Sequence, residues 1–126
     1  MITEDYVSFE IAKLLKEKGL NCGCISYYEH FSSNVTLYSG MVPEWSDSYT
    51  DHNKIDSRYS RPTLQMAMKW LREAHKIHIR LINATDGIYR YELYYNYGDF
   101  YQPPFYYDTY EQAAENAIKY CLENLI

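Results

Sequence analysis

The stretch 76-KIHIRLINATDGIYRYELYYNY-97 decides the fold. In its first part Ile77, Ile79 and Leu81 alternate with His78, Arg80 and Ile82, the period of a half-buried strand. Asn83-Ala84-Thr85-Asp86-Gly87 reads as a turn. Alternation then resumes over 88–97, with Tyr89, Tyr91, Leu93, Tyr95 and Tyr97 on one side and Ile88, Arg90, Glu92, Tyr94 and Asn96 on the other. Two antiparallel strands follow from this, and one of their faces must meet helices.

Upstream, the chain supplies such a helix near Pro62-Thr63, with Thr63 as its cap and Leu64, Ala67, Met68, Leu71 and Ala74 on one face. Met66 and Trp70 widen that apolar arc, which predicts a central position. Downstream, a loop holding Gly98, Pro103 and Pro104 leads to Asp108-Thr109-Tyr110-Glu111, a capping-box pattern with Asp108 as the cap. The helix it opens runs to the end and should bury Tyr110, Ala114, Ala117, Ile118, Cys121, Leu122 and Leu125.

The N-terminal half repeats the theme less clearly. Thr3 as N-cap, Glu4 and Asp5 in the first turn and Lys16-Glu17-Lys18-Gly19 as a basic last turn with a glycine stop predict a helix, its inward stripe Val7, Ile11, Leu14 and Leu15. Residues 22–28 read as a strand, and 34–38 as its partner across a loop of Ser32, Ser33 and Asn34. From 43 to 61 periodicity disappears around an isolated Trp45; a segment this long without structure is either a working loop or conceals short elements. The order is thus α-β-β-α-β-β-α in one domain over 1–126, an α+β fold whose antiparallel sheet of about four strands carries its helices on one face. Ala12-Lys13-Leu14-Leu15-Lys16-Glu17 aligns without gaps on Met68-Lys69-Trp70-Leu71-Arg72-Glu73, which raises a duplicated α-β-β unit.

Composition bounds the function. Seventeen acidic against twelve basic residues leave a net charge of −5, which weakly repels phosphate backbones, and a basic run that would mark nucleic acid as the partner is missing. Acids occupy 4–5, where a signal peptide carries lysine or arginine, and no apolar run reaches the ~20 residues that span a bilayer, so the expected address is cytoplasmic and no membrane is involved. Three cysteines cannot all pair within one chain, and Cys22 and Cys24 lie too close for an ordinary bridge; reduced thiols suit that address.

Residues 4–19, 62–73 and 117–126 resemble a group of small uncharacterised proteins of gut Bacteroidales and their phages or mobile elements. The quoted segments are EDYVSFE leading into AKLLKEKG, PTLQMAMKWLRE and AIKYCLENLI. The resemblance implies a provenance and carries no activity, cofactor or site residue with it.

Chemistry-bearing residues are few. Cys22-Gly23-Cys24 with His30 invites zinc, but the spacing is not the usual C-x2-C and a fourth ligand would have to come from His52 or Cys121. His75 and His78 straddle a helix end, so they read as a helix-end and a strand histidine. Glu111 with Glu115, and Glu44, Asp47 and Asp51, lack the spacing of a calcium loop and read as solvated charge. No nucleophile elbow, redox pair or phosphate loop occurs, so neither an enzyme nor a cofactor or metal is expected.

What stands out is tyrosine: sixteen in 126 residues, nine of them within 89–110. Each ring offers a flat apolar contact and a hydroxyl that needs a partner when buried. Strand tyrosines are readily explained by packing, whereas aromatic loops are harder to justify that way. The expected binding surface is therefore Phe100, Tyr101, Phe105, Tyr106 and Tyr107, together with Trp45. The reading is a non-enzymatic accessory protein acting by protein–protein association, self-association as a homodimer included, through a tyrosine-rich sheet face and loop. The alternative is a module that stacks a small ligand or nucleic-acid base on those rings.

Overall fold

The computed structural model describes residues 4–38 and 50–126, which form two compact units divided between Thr63 and Leu64. The fold is α+β, with three α-helices and two three-stranded antiparallel sheets in place of one sheet of four strands. None of the described helices is long and apolar enough to cross a membrane.

In the first unit, helix α1 (Phe9–Glu17) starts later than expected. Ser8 is its cap, its Oγ accepting from the Ile11 N–H at 3.3 Å. Thr3, the expected cap, lies outside the described residues. The residues ahead of Ser8 are instead extended: Tyr6 bridges Thr63, and the Val7 N–H donates to the Pro62 carbonyl at 3.1 Å. At the other end Gly19, at φ 93, lets the Leu20 N–H reach the Leu15 carbonyl at 2.9 Å and its own N–H reach that of Lys16 at 3.1 Å, a Schellman closure.

Three strands complete this unit: β1 (Tyr27–Phe31), β2 (Asn34–Tyr38) and β3 (Arg58–Ser60), ordered β2-β1-β3. The expected hairpin forms with Phe31 opposite Asn34, but its first strand begins at Tyr27, five residues beyond Cys22. Part of the aperiodic 43–61 stretch is structured after all: a 3-10 turn at His52–Lys54, and β3. Three-residue elements are too short for alternation to register in a sequence. Phe9 of α1 sets its ring edge-on to Tyr28, Tyr59 and His30 at 5.2–5.7 Å, and this aromatic cluster joins helix to sheet.

The second unit holds α2 (Leu64–His75), β4 (His78–Thr85), β5 (Ile88–Tyr95), β6 (Asp99–Tyr101) and α3 (Tyr110–Asn124). Its sheet is a meander, β4-β5-β6. The α-β-β order recurs in both halves, yet the third strand pairs with the first hairpin strand in one unit and with the second in the other, so the topologies are not copies. Strand β4 runs three residues past Ile82, and the reversal is confined to Asp86-Gly87, with Gly87 at φ 73. Strand β5 stops at Tyr95, because Asn96 and Tyr97 take φ 48 and 59 and the Gly98 N–H returns to the Tyr95 carbonyl at 3.2 Å. That turn creates β6, inside the stretch that Gly98, Pro103 and Pro104 predict to be a loop.

Helix α3 packs across β4 and β5, and α2 against α3 and β4. Its cap is Thr109, not Asp108: Thr109 Oγ1 accepts from the Gln112 N–H at 3.1 Å, and Gln112 Oε1 accepts in return from the Asp108 N–H at 3.2 Å. Leu64, Ala67, Met68 and Leu71 from α2, Tyr91 and Leu93 from β5, and Ala113, Ala114, Ala117, Ile118, Cys121 and Leu122 from α3 form the core.

Candidate functional site

Side chains on a strand alternate between faces, so packing of α3 on one face of β4-β5-β6 leaves the other without a helix from this unit. The tyrosine-bearing side of β5 is the covered one. Tyr91 and Leu93 are buried, Tyr91 stacks on Tyr107 at 6.1 Å, and Tyr89 meets Tyr110 edge-on at 6.2 Å. Burial raises the pKa of the Tyr91 phenol well above its ordinary value, and the neighbouring phenols Tyr107 and Tyr101 add to this.

The open face is built in rows by the strand register. His78 pairs with Tyr94 and Tyr94 with Phe100; Arg80 pairs with Glu92; Ile82 pairs with Arg90. Tyr94 and Phe100 lie 5.1 Å apart, tilted by 50°, and are 40 % and 50 % exposed. Beside them Glu92 accepts from the Tyr94 hydroxyl at 2.7 Å and pairs with Arg80 at 3.8 Å. That hydrogen bond to a carboxylate is the first cause of the Tyr94 phenol's upward shift. With the Gln102 amide turned so that its oxygen faces Arg90, the guanidinium Nε and Nη1 each lie 3.0 Å from that oxygen.

Two depressions end this face. One, of about 480 Å³, is lined by Ile82, Ala84, Ile88, Arg90 and Tyr106 among others. The other, of about 230 Å³, lies between Lys76, His78, Tyr94, Tyr97 and Asp99. Tyr97 is fully exposed there in a left-handed conformation that a bulky side chain seldom adopts.

No family model, curated protein or solved structure matches the chain. Its candidate site therefore stands on geometry alone.

The structure divides the sequence-derived surface. Phe100, Phe105 and Tyr106 are exposed, at 50 %, 60 % and 61 %. Tyr101 is half-buried, flat on Tyr120 at 4.4 Å, and Tyr107 is half-buried on Tyr91, its backbone paired to Tyr89. Trp45 lies outside the described residues, as do Glu44 and Asp47. Tyr94, Arg80, Arg90, Ile82 and Ile88 were missed as site residues, although the alternation of β4 and β5 already put them on the face opposite the buried one.

The other chemistry-bearing residues do not converge. Among the described residues no three His, Cys, Asp or Glu side chains are placed to share a metal ion. His30 packs on Phe9, His52 stacks on Tyr27 at 4.2 Å, and His75 meets Trp70 edge-on at 4.8 Å. Burial pushes the thiols of Cys24 and Cys121 up to about 12, the reverse of what a nucleophile needs.

Proposed function

We propose that the protein works by association and not by catalysis, using the open face of β4-β5-β6 and the adjoining 98–107 loop. The observation that supports this reading is the Tyr94–Phe100 pair, set side by side on a sheet face that no helix of its unit covers. Beyond the Arg80–Glu92 row, Ile82, Ile88 and Tyr106 form a second apolar patch, and Phe105 stands exposed in the adjoining loop. Aromatic side chains have two χ angles to fix, so contact area is gained here at low entropic cost. A protein surface is one partner that suits such a face, a second copy of this chain included, since a two-fold pair would bring the same patch to both sides. A cytoplasmic address and kinship with small uncharacterised proteins of gut Bacteroidales and their phages or mobile elements belong to the same proposal.

A second reading, a module that seats flat rings of a small ligand or a nucleic-acid base, is favoured by one particular: Arg80 and Arg90 are interleaved with the aromatics, row by row. Sedimentation velocity over a concentration series tests the protein arm. A dimer that dissociates on Phe100→Ser with Tyr106→Ser, at unchanged thermal stability, is the expected result. Wild-type behaviour of that variant towards every partner, itself included, would count against the face as a site.

A further inference from the structure

Resting on the association reading, we infer that the partner seated on the open face of β4-β5-β6 is a single-stranded nucleic acid. Its aromatics supply stacking platforms: Tyr94 and Phe100 in the first row and Tyr106 beside Arg90 at the far depression. Rows of same-face residues on a strand are about 7 Å apart, so the three rows from His78 to Ile82 cover a length over which sheet platforms stack two or three bases.

Charge is segregated in the same sense. Arg80, with 68 % of its side chain exposed, and Arg90 lie on this face, and Lys76 and His78 line its near depression, which they share with Asp99. Glu92 is the one carboxylate among those rows; its side chain is 12 % exposed and is already held by Arg80 and the Tyr94 hydroxyl. The unit's other carboxylates are Glu73 on α2, Asp108, Glu111, Glu115 and Glu123 at or on α3, and Asp86 and Asp99 at strand turns. Helix α3 packs on the covered side of the sheet, so its acids are turned away from the open one. A net charge of −5 consequently does not describe this face, and the cations escape a search for basic runs because a strand spaces them by two or more residues.

Competing occupants fit less well. A neutral sugar would bring no negative charge to the two arginines, and a protein would have to bring carboxylates to them as well as apolar groups. Duplex does not offer ring faces to a flat sheet, whereas unstacked bases do.

Fluorescence anisotropy of the full chain with labelled oligo(dT) and oligo(U) octamers tests this. Two or three cations on phosphates predict a slope of log K against log salt of about −1.5 to −2, at roughly 0.7 per phosphate for single strands. Tyr94→Ala and Phe100→Ala should each weaken binding roughly tenfold or more. Arg80→Gln and Arg90→Gln should each flatten the slope by about 0.7. Circular dichroism and thermal melting check that each variant folds, and chemical-shift mapping on the wild type locates the contact independently of any variant. No oligonucleotide binding, with a dimer or protein complex that Phe100→Ala disrupts, overturns the nucleic-acid inference and leaves the association reading standing. Oligonucleotide binding that maps elsewhere, or that survives Tyr94→Ala and Phe100→Ala unchanged, overturns the inference too. If the face responds to neither oligonucleotide nor protein, both fall together.

Discussion

Tyr101 of β6 lies flat against Tyr120 of α3, ring centroids 4.4 Å apart and planes 12° from parallel. A short edge strand is thereby tied to the long helix by one aromatic stack, and Tyr101 is committed to packing. Phe100, its neighbour, points to the opposite face at 50 % exposure. One step along a strand separates a structural ring from a binding ring.

Tyr101→Ser should therefore destabilise the protein by about 1–2 kcal/mol, the stack itself being worth roughly 0.5–1.5 kcal/mol beyond area burial. Phe105→Ser, at a position 60 % exposed, should stay within about 0.5 kcal/mol of wild type. Urea titration followed by circular dichroism measures both. Equal losses would mean that the loop ring is packed and the edge-strand ring is not special.

The start of α3 gives a second comparison. Because Thr109 Oγ1 holds the Gln112 N–H, Thr109→Ala should cost about 1 kcal/mol. Asp108→Asn should cost only a few tenths, since Asp108 takes part through its backbone N–H and its charge acts through the helix dipole alone. The reverse ranking in thermal melts would restore Asp108 as the cap.

These two cases show what could be read in the sequence and what could not. Helices α2 and α3, the β4–β5 hairpin and the β1–β2 hairpin are legible because a periodic pattern over five or more residues identifies an element, whatever its exact ends. Strands β3 and β6 are not, since three residues show no period. Their absence from the reading turned two three-stranded sheets into one of four. The caps slipped because Thr3 and Asp108 are as good chemically as Ser8 and Thr109; only the backbone path decides among them. At the site, alternation told correctly that β5 has a tyrosine face and a mixed face. It could not tell which face α3 would cover, and the abundance of tyrosine drew attention to the buried one.

His52 supplies a prediction with a sign. It is 7 % exposed and stacked on Tyr27, and neither ring nitrogen finds a hydrogen-bonding partner of good geometry among the described residues. Burial lowers its pKa below 6.5 and Arg58 acts in the same direction, against a smaller upward pull from the Cys24 backbone and Asp51. The unfolded chain then binds more protons than the folded one near and below the unfolded value, so stability is full above it and falls as the pH drops through it. Thermal melts of the wild type from neutral to mildly acidic pH should show this loss. His52→Phe keeps the stack and removes both ring nitrogens, so its melts should depend less on pH over that window. A variant with the same acid dependence as wild type would place the titrating group elsewhere.

Thiol reactivity distinguishes the three cysteines. Cys24 and Cys121 are buried, at 3 % and 0 % exposure, and burial pushes both thiols up to about 12, so at mildly alkaline pH they hold almost no thiolate. Cys22 is half-buried. A disulfide reagent added to the folded protein should therefore modify Cys22 first, with Cys24 and Cys121 reacting only as the chain opens; in denaturant all three should react together. The slow phase measures local opening: for Cys121 it should follow the stability of α3 and quicken with Thr109→Ala and Tyr101→Ser in step with their effect on the melt. Rapid modification of Cys121 in the native protein, at a rate insensitive to those substitutions, would show that the helix-facing side of β4-β5-β6 is not the closed core on which the assignment of the open face depends.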